Sequence, residues 1–107
     1  MTILGNELDV DKAVAAAVQA FGIFSSTKKK DRLELLENLL QVIRARFEDL
    51  AWAMTKEMGA PISMSRDSQA DSGIGHLKGF ISSLKEQVER ETLPNGDILI
   101  REPIGVC

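Results

Sequence analysis

The feature that most constrains the fold of this chain is a long stripe of apolar residues near its middle. The members recur at alternating spacings of three and four residues, the period of one helix face. They are Leu33, Leu36, Leu40, Ile43, Phe47, Leu50 and Met54. Leu35, Leu39 and Val42 widen the stripe, so the helix should contact more than one neighbour. The pattern predicts one helix over about residues 28–58.

A first helix is predicted over about residues 7–22. Asn6 is a typical capping residue, and Asp9 follows three positions later as in a capping box. An apolar face is spaced for a helix and consists of Val10, Val14, Val18 and Phe21. Gly22 offers a stop.

The start of the central helix is unusual because it carries the run Lys28-Lys29-Lys30. Cations at a helix N-terminus oppose the helix dipole, and only Asp31 offsets them. We interpret the run as a solvated helix start rather than a binding patch.

A third helix is predicted over about residues 61–90. Gly59 suits a left-handed C-cap before it, and Pro61 suits its first turn. Its face is interrupted by Gly73, Gly75 and Gly79. Each glycine costs about 1 kcal/mol relative to alanine. We interpret them as positions where another backbone approaches closely; the alternative is a bend beside a ligand channel.

The end of the chain is predicted to be extended. Residues 93–97 read Leu-Pro-Asn-Gly-Asp, a turn. A strand segment is expected over about residues 97–106, with Pro103 at an edge or at a strand start. The fold class is therefore mainly α: three helices followed by a short C-terminal β segment, in one unit over residues 1–107.

Composition limits the function. The chain has 107 residues, which supports one small domain. Its net charge of −3 argues against nucleic acid as a partner. One cysteine cannot form an internal disulfide, so a reducing, cytoplasmic location is expected. No apolar run approaches the roughly 18 residues of a membrane span, so no membrane partner is expected.

Four segments together resemble the aldehyde dehydrogenase superfamily. Arg-Glu-Pro-Ile-Gly-Val at 101–106 resembles the opening of that family's cofactor-domain core. The segment at 57–62 resembles its Glu-x-Gly-x-Pro turn between two helices. Residues 13–17 with Phe21 resemble its first helix, and residues 31–36 resemble the start of its second helix. Their order and spacing agree from about Asp9 to Cys107.

The resemblance implies the N-terminal part of the cofactor-binding domain in a larger α/β, Rossmann-like fold. The parent enzyme would oxidise an aldehyde to a carboxylic acid with NAD or NADP, through a cysteine thiohemiacetal. The catalytic and cofactor residues of the family lie beyond Cys107, so the chain is expected to hold no cofactor or metal and to be inactive alone. One departure is that residues 1–5 are too short for the family's usual opening β-hairpin.

Two candidate surfaces follow from the resemblance. Phe80, Ile81 and Leu84 would line the substrate entrance. Ile98, Leu99 and Ile100 would face a partner subunit in a homo-oligomer. The alternative function is a small helical, oligomerising interaction module without enzymatic activity, although a helical bundle has no use for the terminal strand.

Several residues invite a catalytic role that the sequence does not favour. Cys107 lacks a base and an oxyanion hole, and His76 has no second histidine with which to bind a metal. Phe47 and Trp52 are expected in the core rather than stacked on a ligand. The remaining candidates are carboxylates expected on solvated helix faces: Glu57, Glu86, Glu89 and Glu91.

Overall fold

The computed structural model describes residues 4–107 and is mainly helical, as predicted. The elements are α1 (Glu7–Phe24), α2 (Lys29–Ala45), α3 (Phe47–Met58), α4 (Ile62–Met64), a π-helical turn (Ser65–Ala70), α5 (Asp71–Glu86), β1 (Arg90–Thr92) and β2 (Ile98–Ile100). The two strands pair antiparallel. The predicted class, helices followed by a short β segment, is confirmed.

The described chain forms two compact units where the sequence predicts one. One unit contains residues 29–87, in which α2 to α5 and the π-helical turn pack on one another. The other contains residues 4–28 and 88–107, that is α1 and the β-hairpin. Helix α1 carries no buried residue. Apolar periodicity indicates which face of each helix is apolar but not which element packs against it. The division into two units therefore could not be predicted from the pattern.

The start of α1 matches its prediction. The Asn6 backbone N–H donates to the Asp9 carboxylate at 2.9 Å, and the Asp9 N–H donates to the Asn6 side-chain oxygen at 3.1 Å. These two bonds form a capping box, which satisfies N–H groups that have no partner inside the helix. The helix continues past Gly22 and ends at Phe24.

The helix predicted over 28–58 is divided into α2 and α3 at Arg46. This residue has φ −109° and ψ 22°, outside helical values, and its guanidinium pairs with Asp49 at 3.1 Å. The Arg46 N–H still donates to the Val42 carbonyl, and the Leu50 N–H donates to the Arg46 carbonyl. Because helical hydrogen bonds continue on both sides, the apolar period passes through the break unchanged and could not reveal it.

Five of the seven residues of the predicted stripe pack in the core of the helical unit, whereas Leu50 is 36% exposed. Leu40 is 9% exposed and packs in a buried cluster with Ile74 and Ile81 of α5. The half-buried apolar side chains around this cluster are Leu33, Leu36, Ile43, Phe47 and Leu77. The widening residues Leu35, Leu39 and Val42 are exposed in the chain.

One lysine of the run at the start of α2, Lys29, is hydrogen-bonded to the end of α5. The helix stops at Glu86, short of the predicted residue 90. The Lys29 ammonium donates to the carbonyls of Lys85 and Gln87, both at 2.7 Å. A cation that opposes the dipole of α2 is thus favourable at the negative end of α5. The interpretation of the run as a solvated helix start did not include these two exposed hydrogen bonds of Lys29.

The close-approach interpretation of the α5 glycines is not supported. A Cβ built on Gly73, Gly75 or Gly79 would meet no described atom within 4 Å, apart from immediate neighbours and the helix backbone. The glycines therefore lie in open helical positions of the described chain. Their flexibility lowers the stability of the helix, and no close packing at these positions compensates for it.

We expect Gly75→Ala to stabilise the chain by up to about 1 kcal/mol, because alanine restricts the unfolded backbone and has the higher helix propensity. Urea unfolding followed by circular dichroism measures this change. Gly59→Ala is the matched control: its Cβ also has open space, but its φ of 77° strains any L side chain, so it should destabilise. A destabilising Gly75→Ala would restore the packing interpretation.

The terminal strand is shorter than predicted. Of the segment 97–106, only Ile98–Ile100 is a strand, and residues 101–107 form no regular structure. Pro103 has no N–H to donate to a ladder, and Gly105 has a φ of 154°. The partner strand β1 begins at Arg90, where the third helix was predicted to end. The predicted turn is present, and the Leu93 N–H donates to the Asp97 carbonyl at 2.8 Å across it.

Candidate functional site

The clearest surface suited to binding is the free edge of the β-hairpin. Ile98 pairs with Thr92 and Ile100 with Arg90 in the antiparallel register. Hydrogen bonds join residue 93 to 97 and residue 101 to 89. Hydrogen-bonded and non-hydrogen-bonded residue pairs alternate along an antiparallel ladder. The hydrogen-bonded pair between these two is therefore residue 91 with residue 99.

It follows that the backbone groups of Ile98 and Ile100 point away from β1. In the two-stranded sheet of residues 4–107 they line an outer edge of the kind to which another strand adds. The side chains of Ile98 and Ile100 lie on one sheet face and that of Leu99 on the other. All three side chains are exposed, so the predicted contact residues are available for binding.

Arg101 fixes the base of this hairpin. Its Nη1 donates to the Val88 carbonyl at 2.7 Å, and its Nη2 pairs with Glu91 at 3.2 Å. Its backbone N–H donates to the Glu89 carbonyl at 2.9 Å. Three bonds from one residue hold the strands in register, a role that the sequence analysis did not assign to this arginine.

The predicted entrance residues are divided between surface and interior. Phe80 is 60% exposed, whereas Ile81 is 7% and Leu84 8% exposed. Ile81 belongs to the core cluster with Leu40. Within this chain the three side chains do not form one surface, because adjacent helical positions point about 100° apart. Only Phe80 is free to meet a ligand.

Helix α3 holds the π-helical turn through two polar contacts that the sequence analysis missed. Arg66 Nε donates to both Glu48 oxygens at 3.0 Å, and Nη2 donates to one of them at 2.7 Å. The hydrogen bond from Arg66 to Glu48 raises the pKa of Arg66 above its ordinary value. These residues are 18 positions apart, and no local spacing indicates such a pair.

The second contact is buried. Ser65 is 0% exposed; Thr55 Oγ1 lies 3.0 Å from Ser65 Oγ, and Ser65 Oγ lies 3.5 Å from Gln69 Oε1. A buried hydroxyl without a partner would be costly, so these bonds keep Ser65 in place. The arrangement is structural and offers no accessible reactive group.

Trp52 lies at the surface, contrary to its predicted core position, whereas Phe47 packs against the core as expected. The indole lines an open pocket of about 630 Å³ together with Asp49, Lys56 and Glu57. All of these residues lie on α3, so the pocket is the outer face of one helix rather than a cleft between elements.

The two side chains that most invite a catalytic role, Cys107 and His76, both lie at the surface. The Cys107 thiol is exposed beside an open apolar pocket of about 510 Å³, lined also by Val14, Val18 and Phe21. His76 is exposed on α5. Among residues 4–107, no cluster of three or more histidine, cysteine, aspartate or glutamate side chains is placed to hold a metal. No helix in this part of the chain is long and apolar enough to cross a bilayer.

A dinucleotide site also does not fit the described residues. Such a site needs a glycine-rich turn between a strand and a helix N-terminus. Gly73, Gly75 and Gly79 instead lie inside α5, and the segment after β2 has no regular structure. A glycine-rich turn of this kind is therefore absent from residues 4–107.

Comparison with known proteins decides the family. The profile of the aldehyde dehydrogenase family matches residues 2–107. The chain belongs to the aldehyde dehydrogenase family. The resemblance drawn from the sequence motifs is therefore confirmed.

Individual members of the aldehyde dehydrogenase family give the extent of the match. The 3-succinoylsemialdehyde-pyridine dehydrogenase of a Pseudomonas species is 41% identical over 105 residues, which cover 97% of this chain and 22% of that enzyme. The crystal structure of an aldehyde dehydrogenase from Bartonella henselae is 37% identical with a TM-score of 0.82, covering 91% of this chain and 21% of that one. The chain thus spans about a fifth of the length of these relatives.

Proposed function

We propose that the whole protein to which this chain corresponds oxidises an aldehyde to a carboxylic acid. In the overall reaction the aldehyde and water give the acid, oxidised NAD or NADP accepts a hydride from the aldehyde carbon, and one proton is released to solvent. The observation that carries the proposal is the family match over residues 2–107. No catalytic step is assigned to the described residues.

The proposed contribution of this chain is a scaffold. The helical unit provides packed surfaces from α2, α3 and α5, and the hairpin provides a strand edge. Phe80 projects from α5 and is the residue of this unit that we propose to border the aldehyde entrance. A cytoplasmic location is proposed with it, on the basis of the single cysteine.

The test is a chimera in which this chain replaces the aligned 105-residue segment of the Pseudomonas relative. We expect aldehyde-dependent reduction of NAD or NADP, read as growth of the reduced-nicotinamide absorbance. The semialdehyde in that relative's name is the first substrate to try, followed by short aliphatic aldehydes. The isolated chain is the control and should give no turnover.

Two results would contradict the proposal. One is a chimera that folds, assembles and stays inactive. The other is saturable turnover by the isolated chain. Phe80→Ala in the chimera separates the entrance role from the scaffold role, because it should change KM between small and bulky aldehydes while the chimera's melting temperature stays unchanged.

We further propose that the chain associates with a copy of itself through the outer edge of β2. The outward backbone groups of Ile98 and Ile100 support this proposal, since unpaired strand edges recruit other strands. A helical interaction module is the second candidate function. The observation in its favour is the exposed apolar face Leu35, Leu39 and Val42 on α2.

A further inference from the structure

The helix from residue 62 to residue 86 changes its period once. The residues below a tenth exposed along it are Ser65, Ala70, Ile74, Ile81 and Leu84. Half-buried Leu77 lies between Ile74 and Ile81, so the downstream intervals are three or four residues. The interval from Ser65 to Ala70 is five.

An interval of five does not fit an α-helix. With 3.6 residues per turn, residues five apart point about 140° away from each other. In a π-helix, whose bonds join residue i to i+5, such residues lie close to one face. The π-helical turn over Ser65–Ala70 therefore contains about one residue more than an α-helical turn would need.

The two ends of this helix are fixed by different partners. Upstream, α3 holds Arg66 through Glu48 and Ser65 through Thr55. Downstream, Ile74 and Ile81 pack with Leu40 of α2. A regular α-helix carrying the same sequence would place one of the two contact sets about 100° out of phase.

We propose that the π-helical turn corrects the rotational register of the helix over residues 62–86. The turn accommodates one extra residue, so that Ser65 faces α3 while Ile74 and Ile81 of the same continuous helix face α2. The turn also sets which residues of α5 face the core. If the same sequence were α-helical throughout, the helix downstream would be rotated by one position, so that Ile81 would point away from the core and Phe80 toward it.

Two single-residue deletions test the proposal. Deletion of Ser68 removes the extra residue and shortens the interval from Ser65 to Ala70 to four, so both contact sets stay in phase. Its cooperative melting transition should remain, within about 5 °C of the parent or higher. Deletion of Lys78, which is also an exposed polar residue, should abolish the transition, because it rotates Ile81 and Leu84 relative to Ile74. Equal tolerance or equal loss in the two variants would overturn the proposal.

Thiol labelling provides a direct second readout. In a Cys107→Ser background, Phe80→Cys should react much faster than Ile81→Cys, since only position 80 is exposed. The same order should persist after deletion of Ser68. A reversed order, or equal rates at the two positions in that deletion variant, would contradict the proposal that deletion of Ser68 leaves the rotation of α5 unchanged.

Discussion

Leu40→Ala should destabilise the chain by about 2–5 kcal/mol, enough to unfold or aggregate a domain this small. Leu40 is 9% exposed and joins Ile74 and Ile81 in the buried cluster of the helical unit. Truncation removes apolar contacts and leaves a cavity that two helices must collapse to fill. Thermal and urea unfolding followed by circular dichroism measure the loss.

Leu39→Ala is the matched control for Leu40→Ala. The same residue type is removed one position earlier, where the side chain is 45% exposed. Surface changes of this kind usually stay within about 0.5 kcal/mol. Comparable losses at the two positions would mean that Leu39 is covered, for example by a second copy, and that the exposed face of α2 is an interface.

Ile100→Pro should convert a self-associated chain to a monomer. The proline removes an N–H that points to the outer edge, where a second strand would bond, and leaves the bonds to β1 intact. Sedimentation or light scattering at high micromolar concentration should therefore give a dimer or larger symmetric assembly for the parent and a monomer for the variant.

Ile100→Val retains the N–H and should leave the assembly intact. Leu99→Pro removes an inward N–H and should break the hairpin itself, which separates loss of the edge from loss of the fold. An assembly that survives Ile100→Pro would place the association on the helices and favour the interaction module. A monomeric parent would contradict self-association by either route.

Local signals were sufficient for much of the fold. The three–four period placed Leu33, Leu36, Leu40 and Ile43 on the packed face of α2, and side-chain chemistry placed the cap at Asn6. Such features depend on residues within one or two turns of one another, and a sequence displays these relations directly.

Features that depend on distant partners were not accessible in this way. The break at Arg46 keeps the helical period, so periodicity gave no sign of it. Strand β1 is only three residues long, and its identity comes from pairing with β2 rather than from composition. Trp52 sits beside the core stripe in sequence, yet no element of its unit covers it.

The candidate surfaces followed the same division. The sequence predicted a strand at Ile98–Ile100 from its apolar residues after a turn, and this strand is present. Its contact with a partner subunit was implied by the family resemblance and stays a prediction. The entrance set was only partly accessible, because the sequence does not show that Ile81 and Phe80 fall on opposite sides of the packing boundary. The ion pair between Glu48 and Arg66 joins two elements that are distant in sequence, so no local pattern indicates it.

The lysine bond at the end of α5 has a topological consequence. Lys29 is the first residue of the helical unit and Gln87 the last, and one side chain spans the gap between them. The first and last residues of this unit, which lies between residues 28 and 88 of the chain, are therefore adjacent in space. Such a unit suits circular permutation: a short linker would rejoin its ends, and new termini fit the exposed connection around Gly59 and Pro61.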